Sequence, residues 1–440
     1  MIKVRFAASP TGHLTLASAR MALANFLFAR RFGGRFLLRI DDADREHYKS
    51  GFAEAIALDL RWLGIDCDEA IHQSERLALY ADAAERLKQV GRLYPCFESD
   101  EELRSKRDQR LKRGQPPVYD RAMLRLTPAQ RASAEAGGKR PYWRFLLSDR
   151  VVEWHDMVLG HSEVKLPAVS DPVAIRADGM PLNTFTSVAD DIDAGITHMI
   201  RTDDLVTRTA IQLDIFAALG VDPRPLGVAH LPMFADTGAE RPSKRLERLT
   251  LRSLRNDGIE AACLAAYLAR PGMQDEPPPP MSELMEGFNF AQFGTGFDAT
   301  HLLALNRRAL RHLPFAAVSD RLPSGATETF WLAVRRNLDR LTEARGWWDV
   351  VAGTIVPPVI EGEREFLHLA LDRLPPEPWS TAVWTTWTDA VKQATGRQGD
   401  TLALPLRLAL TGEADGPELY DLLPLIGRVR AANRLQIAAS

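Results

Sequence analysis

Residues 2–7 open the chain in a short, mainly apolar run, halted by Ser9-Pro10-Thr11-Gly12. A run of that length ended by turn formers predicts a strand. Ala19, Leu23, Phe26, Leu27 and Arg30 then recur at spacings of three and four, which predicts a helix closed by Gly33-Gly34. Phe36 to Ile40 reads as a second strand, with Asp41-Asp42-Ala43-Asp44 just past its end. Strand, polar loop, helix and strand make a parallel βαβ unit. Phe52, Ile56, Leu60 and Leu63 mark the next helix, and another runs from Ser74 to Val90. Near Arg92 the α/β rhythm breaks. A mixed insert to about residue 178 holds the basic stretch Arg104 to Arg113, then Pro116-Pro117 and a strand-like Tyr142 to Leu147. The rhythm resumes near Pro181, with a strand over 196–201, a helix from Thr207 to Leu219 and a strand from Leu226 to Met233. Two halves of one sheet are therefore expected, split by the insert. Beyond about residue 250 the segments are mostly helical, including a window from Phe330 to Arg340 and a stiff Pro277 to Pro280 run. No repeat of 20–50 residues is visible.

Length and composition narrow this picture. At 440 residues, and about 150 per domain, some three domains are expected. Apolar residues are 45% and charged residues 26%, ordinary globular values that exclude a disordered or fibrous chain. A formal net charge of −3 excludes a chain that is basic throughout, so any nucleic-acid contact must come from local patches. Cys67, Cys96 and Cys263 are odd in number and far apart, which argues against a disulfide framework and a cysteine-rich zinc site and fits a reducing cytoplasm. The N-terminus reads as a strand and no apolar run reaches membrane-spanning length, so neither export nor membrane insertion is expected.

The first strand–loop–helix is the strongest candidate for chemistry, because a loop feeding a helix N-terminus presents backbone N–H groups to an anion. Alone it is weak: Gly12 is its only glycine and no established phosphate motif is present. In combination it is specific. Arg5-Phe6-Ala7-Ala8-Ser9-Pro10-Thr11-Gly12, Ala19-Arg20, Arg39-Ile40-Asp41-Asp42-Ala43-Asp44, Trp62-Leu63-Gly64, Gln73-Ser74-Glu75-Arg76, Asp190-Asp191, Gly195 to Arg201, Ser243-Lys244-Arg245 and Pro405 to Gly412 stand in one order along the chain. The whole resembles glutamyl-tRNA synthetases, which are class I aminoacyl-tRNA synthetases, and is similar in wording to their alphaproteobacterial branch.

The resemblance implies an α/β fold in five stretches. These are a Rossmann-type catalytic domain over 1–90 and 179–235, an inserted α+β acceptor-binding domain over 91–178, a stem-contact region over 236–312 and an all-helical anticodon-binding domain over 313–440. It implies a glutamate-tRNA ligase that joins ATP and glutamate into glutamyl-adenylate and passes the acyl group to the terminal ribose of tRNA. Arg5 and Arg201 stand where the family grips carboxylate, each able to make a bidentate fork. Asp41 stands where an acid holds the α-ammonium, with Ser9 beside it. Ala7, Asn183 and Ser187 complete the implied glutamate site, Asn183 replacing the family's usual tyrosine.

The ATP half departs from the family. Its first motif falls on Thr15-Leu16-Ala17-Ser18, where a histidine and a glycine are replaced by Thr15 and Ala17. Thr15 offers a shorter neutral hydroxyl, and loss of one transition-state donor commonly costs about 10²–10³ in rate. Ala17 adds a Cβ where adenine would pack on backbone. The second motif reads Arg241-Pro242-Ser243-Lys244-Arg245: Lys244 remains to stabilise charge on pyrophosphate, while Pro242 stiffens the loop. Gly12, Ser18, Asp204, Phe234, Arg241 and Ser243 complete the implied ATP set. Magnesium is implied by ATP chemistry, and no zinc is expected. Glutamate tRNA is the implied partner, contacted by Asp44, Arg107, Arg110, Arg113, Arg307 and Arg308, and the protein is expected to be a monomer. Trp347, Trp348, Trp384 and Trp387 are candidates for stacking on anticodon bases, although tryptophans in helical domains more often fill cores. Because the departures gather at the ATP motifs, a diverged relative that binds tRNA or a small molecule with weak, altered or absent aminoacylation is the alternative, followed by an adenylating enzyme for another amino acid.

Overall fold

A computed structural model of the chain describes residues 1–44, 51–236, 249–270 and 277–440. Two compact units result, one built from Met1–Ser253, Leu264–Met273 and Pro279–Asp298, the other from Leu254–Cys263, Gln274–Pro278 and Ala299–Ser440.

The first unit begins β1 (Lys3–Ala8), α1 (Leu16–Arg31), β2 (Arg35–Ile40), α2 (Phe52–Trp62), β3 (Glu69–His72) and α3 (Leu77–Gln89). The three strands are parallel, Val4 lying opposite Phe36 and Leu37 opposite Glu69. β1 and β2 are largely buried, as expected in a parallel sheet covered by helices, and the burial takes in the charged side chains of Arg5 and Arg39. α1 is buried from Ala19 through Ala29, since apolar and small residues surround it on every side. The turn into β2 requires its two glycines: Gly33 has φ +62°, and a Cβ on Gly34 would lie 2.7 Å from the Ile2 carbonyl oxygen.

The next stretch contributes β4 (Leu93–Cys96), α4 (Asp100–Lys112), α5 (Pro128–Ala136), β5 (Tyr142–Phe145), β6 (Val151–Asp156), β7 (Gly160–Lys165) and β8 (Val173–Ile175). β4, β5 and β8 form a separate antiparallel sheet. α6 (Asn183–Asp193), β9 (His198–Thr202), α7 (Val206–Ala218) and β10 (Gly227–Leu231) then restore the α/β alternation. β9 and β10 pair in parallel. β9 sits beside β1, where the Thr197 amide donates to the Lys3 carbonyl (2.9 Å) and the Lys3 amide donates to Thr197 Oγ1 (2.8 Å). The spatial order is thus β3-β2-β1-β9-β10, with its reversal between β1 and β9. That reversal leaves a crevice at the C-terminal ends of the two strands, the usual place for a ligand in such sheets.

The sequence reading treats the stretch from Arg92 to 178 as a plain interruption of the sheet, and the structure differs. The β6–β7 hairpin extends that sheet, β6 pairing in parallel with β10. Its alternation of exposed and buried residues is visible along the chain, but its partner strand lies far downstream. Asp156, at the hairpin end, secures the join by accepting from the Val158 amide (3.0 Å), the Leu159 amide (3.1 Å), the His230 amide (3.1 Å) and His230 Nδ1 (2.6 Å). Burial alone would raise its pKa, but these donors hold the carboxyl well below the ordinary aspartate value of 3.8. Between the two values the unfolded chain binds the extra proton, so stability rises with pH there and is lost as pH falls below about 4. Melting temperatures recorded from pH 7 to about 3 should fall more steeply for the wild type than for Asp156→Asn; parallel curves would refute this account.

The second unit is helical among its described residues, around a core that includes Trp331, Trp387, Leu406, Leu422 and Leu435. The window predicted from Phe330 to Arg340 is a shorter helix, Glu328–Val334, followed by a tighter turn over Arg335–Asn337. Trp387 is fully buried with Nε1 donating to the Ala370 carbonyl (2.7 Å), and Trp347, Trp348 and Trp384 pack against the same core. Aromatic bulk here fills the interior. The three cysteines are unpaired, and no described helix is long and apolar enough to cross a membrane.

Candidate active site

At the reversal between β1 and β9 lies a cavity of about 540 Å³. Arg5, Ala7 and Ser9 come to it from β1 and the following loop, Ala17 and Ser18 from α1, Arg39 from β2 and Asp41 from just past its end, Asn183 and Ser187 from α6, and Arg201, Arg208 and Gln212 from β9 and α7. Every residue of the sequence-derived glutamate set therefore lines one space. With Arg5, Arg39, Arg201 and Arg208 against the single acid Asp41, the lining is cationic. It suits an anionic ligand.

A buried network behind the lining sets its geometry. Arg39 donates from Nε to Asp41 Oδ1 (2.7 Å), from Nη2 to Ser187 Oγ (2.9 Å) and from Nη1 to Asp191 Oδ1 (3.3 Å). Arg5 donates from Nε to the same Asp191 oxygen (3.0 Å). Asp190 accepts from Gln73 Nε2 (2.8 Å), Arg76 Nε (2.8 Å) and the Tyr80 hydroxyl (2.9 Å). Burial opposes the charge on Arg39, but Asp41, Asp191 and Asp190 outweigh it and raise its pKa further. Asp190 moves the other way: burial dominates its donors and lifts its pKa above the ordinary carboxylate value. Asn183 Nδ2 donates to Asp41 Oδ2 (2.5 Å), and Ser187 Oγ donates to Asn183 Oδ1 (3.2 Å). Asn183 thus holds the acid by an amide.

Arg201 is the exception among the buried cations. It donates from Nη1 to Gln212 Oε1 (2.6 Å) and Thr209 Oγ1 (3.2 Å), both neutral. Its Nε is shielded from solvent with no acceptor among the described residues. Burial, with Arg5 nearby, lowers its pKa to about 9. A guanidinium that lines the cavity with no carboxylate partner among the described residues is a place prepared for an incoming carboxylate.

The nucleotide side is less assembled. Thr15 caps α1: its Oγ1 accepts from the Ser18 amide (3.2 Å) and donates to Ser18 Oγ (3.0 Å). The Leu16 amide donates to the Leu249 carbonyl (3.0 Å), so the helix start offers fewer free N–H groups to an anion than the sequence suggests. Ala17 and Ser18 line the cavity, whereas Gly12, Thr15, Asp204 and Phe234 stand outside its lining. Asp204 is exposed. Phe234 is buried beneath Arg20, whose guanidinium carbon lies 5.5 Å from the ring centroid. Arg241, Ser243 and Lys244 lie outside the described residues.

Of the residues expected to meet tRNA, Arg107 and Arg113 are exposed in and just after α4 and have no ion pair among the described residues. Arg110 donates to the Pro116 carbonyl (2.8 Å), and Asp44 pairs with Arg176 (2.8 Å). In the helical unit Arg307 pairs with Asp339. Arg308 there keeps Nε and Nη2 shielded without an acceptor among the described residues. Sequence reasoning missed Arg39, Gln212 and Arg208 as lining residues and Thr209 and Asp191 behind them. For Arg39 a signal existed: an arginine inside the otherwise apolar run from Phe36 to Ile40 must find buried acids.

The family model for the catalytic domain of class I tRNA synthetases (E and Q) matches residues 1–305, and that for an anticodon binding domain matches 360–439. The chain belongs to the class I glutamyl/glutaminyl-tRNA synthetase family. Among similar synthetases, the glutamate-tRNA ligase 2 of Granulibacter bethesdensis is 56% identical over all of this chain and 99% of its own length. That of Acidiphilium cryptum is 56% identical over the whole of both. A glutamate tRNA ligase structure from Elizabethkingia meningosepticum, in complex with its amino acid, superposes with a TM-score of 0.83 over 100% of this chain and 99% of that one. At 23% identity it shows that the synthetase fold is shared.

Proposed function

We infer that this synthetase is a glutamate-tRNA ligase: it condenses glutamate with ATP to glutamyl-adenylate and pyrophosphate, then transfers the glutamyl group to the 3′ end of tRNA. One observation carries the assignment: Arg201, cationic and lacking a carboxylate, faces the same cavity as Arg5 and the acid Asp41. A free amino acid with two carboxylates and one ammonium matches that charge pattern. Arg201 and Arg5 take the carboxylates, and Asp41, held by Arg39 and Asn183, takes the ammonium. The attack of a glutamate carboxylate oxygen on the α-phosphorus of ATP requires the two to be held in line. Ala17 and Ser18, which line the same cavity, are assigned to the nucleotide, and Lys244 is assigned the charge that develops on the leaving pyrophosphate. The described residues contain no cluster suited to hold a metal; magnesium, as ATP chemistry implies it, would enter with the nucleotide's phosphates. The exposed cations Arg107 and Arg113 are assigned to tRNA phosphates, Arg307 and Arg308 to the stem-contact surface, and the synthetase is proposed to act as a cytoplasmic monomer. No observation favours the diverged-relative alternative.

Glutamate-dependent exchange of labelled pyrophosphate into ATP, with glutamate tRNA present, tests the reading. The wild type is expected to exchange well above a Lys244→Ala control. Equal rates would overturn the assignment.

A further inference from the structure

We propose that Thr209, His230 and Asp156 form a buried relay that positions Arg201 for the glutamate carboxylate; this rests on the assignment of Arg201 above. The relay starts outside the cavity lining and crosses three elements. Asp156 on β6, His230 on β10 and Thr209 on α7 are all essentially without solvent exposure. His230 Nδ1 lies 2.6 Å from Asp156 Oδ2, His230 Nε2 lies 2.9 Å from Thr209 Oγ1, and Thr209 Oγ1 accepts from Arg201 Nη1 at 3.2 Å.

The direction of these bonds follows from the ionised end. A carboxylate only accepts, so Nδ1 carries a hydrogen and donates to Asp156. In the neutral ring Nε2 is then an acceptor, and the Thr209 hydroxyl hydrogen points toward it. This choice matters because the same hydroxyl also lies 3.1 Å from the Leu205 carbonyl, its competing acceptor. With the hydrogen committed to His230, the oxygen turns lone-pair density toward Arg201 and holds Nη1 against Gln212 and Thr209. The side chain so held lines the cavity and has no carboxylate partner among the described residues. A neutral hydroxyl is all that Arg201 meets directly, yet behind it stands a full negative charge delivered through two hydrogen bonds. Chains of this kind polarise one another in a low-dielectric interior. The strand that brings Asp156 belongs to the β6–β7 hairpin, which gives the stretch between the two halves of the sheet a part in amino-acid binding as well as in the fold.

The test separates glutamate binding from ATP binding. In tRNA-dependent pyrophosphate exchange, Thr209→Val is expected to raise the KM for glutamate about tenfold, the value of one hydrogen bond to a charged group, and to leave the KM for ATP within about twofold. Thr209→Ser keeps the hydroxyl and should return the glutamate KM to within about threefold of wild type. Asp156→Asn, which can donate to the ring and reverse its tautomer, should resemble Thr209→Val. A glutamate KM unchanged in Thr209→Val, while Arg201→Gln raises it, would overturn the relay. A wild type without glutamate-dependent exchange would instead overturn the ligase reading. Should Thr209→Val fail to fold, the wild type still decides the matter. Isotope-labelled histidine, with the His230 signal identified by its absence in His230→Gln, should show the Nδ1–H tautomer and a shift on saturation with glutamate; the Nε2–H tautomer would overturn the proposal.

Discussion

Arg201→Gln is expected to raise the KM for glutamate about a hundredfold or more, with a much smaller change in the KM for ATP. Glutamine keeps part of the hydrogen-bonding reach and loses the charge. In the wild type the guanidinium is held by two neutral oxygens, and its Nε has no acceptor among the described residues. Its attraction for a carboxylate is therefore not spent on an internal partner. Truncating one member of a buried, hydrogen-bonded charge pair costs about 2–5 kcal/mol, most of it as faster release. Arg5 makes the contrast: it already donates to Asp191, so Arg5→Gln combines a binding defect with an unbalanced buried acid and should lower thermal stability as well. Steady-state exchange measured over glutamate and ATP concentrations separates the two. Equal glutamate KM values for wild type and Arg201→Gln would remove the carboxylate role from Arg201.

Arg39→Met is expected to destabilise the first unit by about 3–5 kcal/mol, because removing one partner of a buried ion network leaves charges uncompensated. Methionine approximates the stem of arginine, so the loss is electrostatic rather than steric. Asp41 would retain the Asn183 amide, and Asp191 would retain Arg5 while its second oxygen already lacks a hydrogen-bond partner among the described residues. Asp190, whose pKa burial already raises, would lose a nearby cation as well. Carboxyls pushed above their unfolded pKa make the native state bind more protons than the unfolded chain. Stability then falls as pH rises, so the deficit should be largest near neutral pH and narrow toward about pH 5. Thermal unfolding of both proteins across that range checks the magnitude and the sign. A deficit that does not depend on pH would point to packing instead.

Much of the fold and part of the site were legible before any coordinates. The mainly apolar runs at 2–7 and 36–40 became the buried parallel strands β1 and β2, and the spacing of Ala19, Leu23, Phe26 and Leu27 became α1. Strands are short and local in pattern, which is why they read well. The helix Asn183–Asp193 was not singled out, although it carries Asn183, Ser187, Asp190 and Asp191. Its acids face inward toward arginines from other elements, and a polar residue buried by a distant partner looks like a surface residue in sequence. Arg39 is hidden in sequence for the same reason: its partners Asp191 and Ser187 are brought to it by the fold. Thr15 shows the opposite effect: its hydroxyl serves the helix that follows it, a local use that the family resemblance, which assigns Thr15 to ATP, does not suggest.

By itself the chain determined the alternation of strand and helix, the cationic and acidic residues available to an amino-acid substrate, and the family, because these depend on residue type and spacing. Only the tertiary structure decided which charges cancel. Arg5 and Arg39 meet buried acids while Arg201 meets neutral oxygens, and the β6–β7 hairpin joins a strand far downstream to supply Asp156. Coulomb energy and desolvation depend on distances across the fold, and those distances are set by packing between segments that are remote along the chain.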